Sequence, residues 1–400
     1  MSRESLRNGW TCRRKVSDSL PLHSDPFPQI DYGLPAYPDH NDSSVCRKPV
    51  MFAMRTTYEN IWTILTRERT ASQGQNRRRR QHVSGLSFKS TIAVIAILLM
   101  TRGPAVGQTD NSNLPFVMVL GTAQDAGFPQ AGCNKECCQS AWETPSKQRF
   151  ATSLAIVDPT SNQRWLLDCT PDFREQLRLL QTQTPAAGGP VLDGIFLTHA
   201  HVGHYAGLIH LGREVIGADS VKVYAMPRMS HFLATNGPWE QLVTLKNITL
   251  CPLAADTAVQ LNARISVTPI LVPHRDEYSE TVGFEVRGPN RKILFIPDID
   301  KWDKWDQRVE EKVTDVDVAY LDGTFFGNGE IPGRDMSLIP HPSITESMER
   351  FSGLTSSVRS RVRFIHLNHT NPVLDTNSAG YRILQESGCR AAQQGEQQEL

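Results

Sequence analysis

The chain has 400 residues, enough for one large or two ordinary domains. Its 42 Lys and Arg balance its 42 Asp and Glu, so the formal net charge is zero. That balance excludes a bulk electrostatic attraction to nucleic acid or to an anionic membrane surface.

Residues 1–80 are rich in Arg, Ser, Pro and Asn and show no sustained apolar period, so they read as a disordered or mis-assigned extension. Arg77 to Arg80 form a basic run, Thr91 to Met100 are almost wholly apolar, and Ala105, Val106 and Gly107 follow. Basic, apolar, then small is the layout of a secretory signal peptide over 81–107, with cleavage near Gly107 and an exported product. The apolar run falls short of the roughly 20 residues a bilayer span needs. A leader that begins so far in suggests Met51 or Met54 as the true start. The remaining 108–390 is long enough for one sizeable core, and the polar end, 391–400, reads as a disordered tail.

Leu114 to Leu120 is a strand-like apolar run leading into a Gly- and Pro-rich loop, GTAQDAGFPQAGC. Cys133, Cys137 and Cys138 then fall within six residues, a density that means a metal or a disulfide. An odd number of thiols favours metal, and tetrahedral zinc would require a fourth ligand. Phe150 to Val157 and Arg164 to Leu167 read as paired strands, with Asp168 at the end of the second and a helix over Asp172 to Leu180.

The densest chemistry follows. The buried run Ile195-Phe196-Leu197 ends in THAHVGH, which sets His199, His201 and His204 within six residues. Imidazoles at a strand end are fixed on one side and open on the other, where an α/β protein places its chemistry. Imidazole suits Zn²⁺, Fe²⁺ or Mn²⁺. Further on, His274 follows the apolar Ile270-Leu271-Val272, and the strand Lys292 to Ile296 ends in Pro297-Asp298. Val316 to Leu321 leads into DGTFF, His341 precedes a helix over Ile344 to Phe351, and Val362 to Ile365 ends in HLNHTNP.

THAHVGH resembles the H-x-H-x-D-H signature of the metallo-β-lactamase superfamily, except that Gly203 stands where the family usually has Asp. His274 and Asp298 match the later metal motifs in order and spacing. GTAQDAGFPQAGC, DGTFF and HLNHTNP together resemble the coenzyme PQQ synthesis protein B branch. The resemblance covers about 115–375 and implies a four-layer αββα sandwich with a metal site at one edge. By motif order it implies that His199, His201 and His274 hold one metal and that Asp298 bridges. His204 and a C-terminal histidine would hold a second, and Asp168 would support the metal loop. His366 fits the last motif. His369 fits the fourth ligand of a structural zinc with Cys133, Cys137 and Cys138, although the reverse pairing stays open.

Three functions are compatible with these residues. The first is a metal-dependent hydrolase of a phosphodiester or other ester, with Asp298 orienting water and His341 protonating the leaving group. It would use one or two Zn²⁺, or else Fe²⁺ or Mn²⁺, on a small-molecule substrate. The second is an iron-dependent oxygenase of a tyrosine-derived precursor. The third is a non-catalytic binding module. With no oxygen ligand at Gly203, the second metal position is expected to be weak, and Gly203→Asp to strengthen it.

Overall fold

A computed structural model of the chain describes residues 113–185 and 188–400. The extension and the leader segment lie outside the described residues. No helix among the described residues is long and apolar enough to cross a membrane.

Two seven-stranded sheets make up the framework. The first contains β1 (Phe116–Gly121), β2 (Ser153–Asp158), β3 (Gln163–Leu167), β4 (Gly194–Phe196), β5 (Val221–Ala225) and β6 (Ile248–Pro252). The second contains β7 (Val259–Gln260), β8 (Ser266–Leu271), β9 (Val282–Arg287), β10 (Lys292–Ile296), β11 (Val318–Asp322), β12 (Val362–Ile365) and β13 (Arg390–Ala391). The last strand, β14 (Gln397–Glu399), returns to the first sheet, giving the orders β14-β1-β2-β3-β4-β5-β6 and β13-β12-β11-β10-β9-β8-β7. From β3 to β6 and from β10 to β13 neighbouring strands run parallel.

The strand period of two explains the layering. Val117 and Val119 of β1 and Leu154 and Ile156 of β2 meet Phe284, Ile293, Phe295, Val318 and Tyr320 between the sheets. The alternate residues Met118, Leu120, Ala155 and Val157 face outward against Phe173 and Leu180 of the helix Phe173–Gln183 and Met229 and Leu233 of Pro227–Thr235. On the second sheet, Leu294, Ile296, Ala319, Leu321 and Phe364 pack beneath the helices Val309–Asp315, Ile344–Phe351 and Ala379–Glu386. With both faces of each sheet covered, the central strands are continuous apolar runs rather than alternating ones. The architecture is the four-layer αββα sandwich.

One expectation is corrected. The segment 391–400 is ordered. β14 pairs antiparallel with β1, Phe116 opposite Glu399 and Met118 opposite Gln397. Leu400 is fully buried between the sheets, and its amide donates to the Pro115 carbonyl at 2.8 Å. A Gln-rich end reads as solvated, but its backbone amides and carbonyls complete the exposed edge of β1 and require no apolar side chains to do so.

Candidate metal centre

The turns after the strands converge at one edge of the sandwich. Asp168 follows β3, the histidine turn follows β4, Asp298 follows β10, Asp322 closes β11 and His366 follows β12. Gly207 allows the histidine turn to seat tightly, since a Cβ there would lie 2.1 Å from the Thr170 carbonyl. Asp168 and His366 both have left-handed backbones, at φ 66° and 65°. Such conformations cost on the order of 1–3 kcal/mol each and gather where geometry is over-determined by function.

Two matching relays fix the imidazoles. In the first sheet, the Thr198 hydroxyl donates to Asp168 Oδ1 at 2.9 Å, so it can only accept from His199 Nδ1, also at 2.9 Å. Asp168 Oδ2 accepts from His204 Nδ1 at 2.7 Å. In the second sheet, the Thr324 hydroxyl donates to Asp322 Oδ1 at 2.7 Å and accepts from His366 Nδ1 at 2.8 Å. All three imidazoles therefore carry their proton on Nδ1 and turn a bare Nε2 inward, the arrangement in which an outer carboxylate sets the tautomer of a metal ligand.

Those Nε2 atoms, with Asp125 Oδ1 and Asp298 Oδ1, are buried without a hydrogen-bond partner. Asp298 Oδ2 lies 3.3 Å from His199 Nε2, 3.2 Å from His274 Nε2, 3.8 Å from His201 Nδ1 and 3.9 Å from His204 Nε2, at ion-pair range. Asp125 Oδ1 lies 3.3 Å from His204 Nε2 and 3.5 Å from His366 Nε2. Donor atoms thus gather into two sets, His199, His201, His274 and Asp298, and Asp125, His204 and His366. Lone pairs converging in a buried space repel one another unless a cation sits among them. The residues present therefore fit divalent metal.

The electrostatics agree. Burial drives His199 well below the usual imidazole range, and the charge on His204 adds to this, so His199 is neutral. Burial would also depress His204, but Asp168 and Asp125 outweigh it and raise that imidazole well above normal, so without a metal a proton on Nε2 takes the place that a cation would fill. Burial would raise Asp298, yet His341, His199, His201 and His274 hold it well below the carboxylate range. Asp125 follows the same pattern, with His204 and His366 overcoming burial. His341 Nδ1 lies 2.9 Å from Asp322 Oδ2 and 3.3 Å from Asp298 Oδ1. Against the effect of burial, these carboxylates push its pKa up to about 9. His341 also forms part of the wall of an adjoining cleft of about 490 Å³, with Lys301, Phe325, Met336 and Arg350.

A separate cluster holds the cysteines. Cys133, Cys137, Cys138 and His369 bring one donor atom each within 4.8 Å of one another. His369 Nδ1 donates to Gln130 Oε1 at 2.6 Å, which leaves Nε2 to the thiols. All three cysteines are free thiols, with Cys133 Sγ 3.7 Å from Cys137 Sγ. Burial pushes the Cys138 thiol up to about 12, a thiolate that forms at neutral pH only with a cation beside it. Of the two candidate histidines, the structure thus places His369 with the cysteines and His366 with His204. Cys137→Ser is expected to lose one equivalent of zinc and to lower the unfolding midpoint, because metal binding energy is folding energy. Zinc analysis and calorimetry check this, and a disulfide among the three thiols in metal-replete protein would sink it.

Two loops are shared between the centres. Gln124 N donates to the Leu367 carbonyl at 2.9 Å, and Leu367 N to the Thr122 carbonyl at 2.8 Å. The first loop carries Asp125 and the cysteines, the second His366 and His369. Sequence reading missed Asp125, which lies in a Gly-rich loop far from its partners. The only available signal was the carboxylate missing at Gly203. The same reading passed over Thr198, Thr324 and Asp322, although DGTFF contains the last two.

Comparisons with known proteins bear on this site. A family model described as the beta-lactamase superfamily domain matches residues 163–367, from β3 to just past His366. The chain is 27% identical over 304 residues to coenzyme PQQ synthesis protein B of Xanthomonas euvesicatoria pv. vesicatoria, covering 70% of this chain and 98% of that protein. It is 26% identical over 307 residues to the protein of that name from Methylococcus capsulatus, with the same coverage. Zn²⁺-bound PqqB from Methylobacterium extorquens superposes with a TM-score of 0.61 at 22% identity, covering 71% of this chain and all of that one. A diphosphatase from the PhnP family superposes at 0.51 and 19% identity, covering 72% of this chain and 97% of that one. Together the two packed sheets, the inward imidazoles and the family match show that this chain belongs to the metallo-β-lactamase superfamily.

Proposed function

We propose that the protein is a metal-dependent hydrolase acting on a phosphodiester or another ester of small size. The observation that carries this reading is the set of three Nε2 lone pairs, locked inward by the Asp168 and Asp322 relays, that face the carboxylates of Asp298 and Asp125. His199, His201, His274 and Asp298 would hold a divalent ion, Zn²⁺ or Mn²⁺ by donor type. Such an ion supplies Lewis acidity and a water that is nucleophilic near neutral pH. Asp298, held well below the carboxylate range, is better suited to orienting that water than to taking its proton. His341 bridges the centre and the cleft. Its Nδ1 proton is held by two carboxylates, and in the charged form Nε2 carries a second proton for a leaving oxygen. The diphosphatase among the similar structures shows that this fold can carry phosphoryl hydrolysis.

The test is metal analysis of the protein, followed by turnover assays with bis(p-nitrophenyl) phosphate, a lactone and a β-lactam. Zinc or manganese content with phosphodiester turnover is the expected result. Iron content with oxygen uptake would favour oxygenation instead, and no metal in the histidine centre would leave only binding.

A further inference from the structure

We propose that Asp125 is the oxygen ligand of a second metal ion, replacing the carboxylate that the superfamily usually carries at the position of Gly203. The proposal rests on the metal-dependent reading above and adds to it a ligand from outside the matched region, which begins at residue 163.

Three observations carry it. The first is steric. A Cβ built on Gly203 would lie 2.1 Å from Asp125 Oδ1, 2.5 Å from its Cα and 2.6 Å from its Cβ. Asp125 thus occupies the volume into which any side chain at 203 would project, and the two positions exclude each other. Glycine at 203 is a requirement of Asp125. The second is the environment of Oδ1. The atom is buried, has no hydrogen-bond partner, and faces the bare Nε2 atoms of His204 and His366 at 3.3 and 3.5 Å. The two imidazoles have given their protons to Asp168 and Thr324, so a cation is the species that satisfies all three donors. The third is rigidity. The bonds from Gln124 to Leu367 and from Leu367 to Thr122, together with the Gly127 amide on the Gln124 carbonyl at 2.8 Å, hold the turn on both sides of Asp125.

This overturns the expectation that the second position lacks an oxygen donor. A carboxylate is present, delivered by another loop, and the single change Gly203→Asp would collide with it rather than strengthen the site.

The test titrates Co²⁺ into the metal-stripped full chain in three forms: native, Asp125→Ala and Asp125→Asn. Thiolate charge-transfer absorption counts the cysteine centre separately, and calorimetry counts the histidine centre. Two ions are expected in the native histidine centre. Asp125→Ala should keep the first and bind the second about 100-fold more weakly or worse, beyond the effect of losing an outer partner. Asp125→Asn, which keeps the shape and one neutral oxygen, should fall between. Thermal melts of the metal-free forms check folding, and if Asp125→Ala does not fold, the isosteric Asp125→Asn decides. A native protein that fills only one histidine position, or an Asp125→Ala form that fills both unchanged, overturns the proposal. Two ions bound without ester turnover would count against the hydrolase reading and leave the ligand assignment standing.

Discussion

Asp298→Ala is expected to abolish hydrolysis and empty the His199, His201 and His274 position while the fold survives. Asp298 Oδ2 lies between 3.2 and 3.9 Å from nitrogens of four imidazoles. Without it, only ring nitrogens of His199, His201 and His274 face the cation and no carboxylate among them offsets its charge. Removing even an outer partner of a ligand costs roughly 10–100-fold in metal affinity, so loss of the shared carboxylate should exceed that. Phosphodiester turnover should fall by about 10³-fold or more, the upper part of the range for one positioned group. Asp298→Asn keeps the shape and one oxygen, and should fall between. Metal content, kcat/KM and the unfolding midpoint of each form check this. An Asp298→Ala protein that retains its metals and turnover would remove Asp298 from the centre.

Deletion of residues 394–400 is expected to destabilise the protein strongly. It removes β14 and leaves the edge of β1 unpaired. It withdraws Leu400 from the interior, a loss of about 2–5 kcal/mol on the scale of large-to-small core changes. It also strips Tyr320 of the Glu396 carboxylate that accepts its hydroxyl proton at 2.9 Å. A drop in melting midpoint of roughly 5–15 °C, with aggregation through the bared edge, is the expected outcome by calorimetry. A midpoint within about 2 °C of the full chain would show that the last strand contributes little.

The framework was legible because it is built from double-sided burial. β10, β12 and the helix Ile344–Phe351 match the apolar runs residue for residue. The histidines and Asp298 were legible because each directly follows such a run. The polar strand β14 was not, since backbone pairing leaves no trace in Gln397 or Gln398. Asp125 was hidden for a different reason. Its partners His204 and His366 lie far along the chain, and only the three-dimensional closure of two loops brings them together. The choice between His366 and His369 also required coordinates, because three residues of spacing fit either centre.

The two loops cross like a pair of straps under one pin. Asp125 and Cys133 ride on one, His366 and His369 on the other, so each centre draws donors from both. Neither loop can shift without disturbing two donor sets at once. Thermodynamic linkage then makes the coupling mutual: whatever the cysteine centre gains in grip from an ion beside Asp125, that ion gains from the filled cysteine centre. With both centres filled, occupancy of the thiols would thereby become a setting on the histidine centre. An agent that reaches Cys133 or Cys137, an oxidant or a competing soft metal, is then expected to change the affinity for the second ion without touching a residue that would bind it.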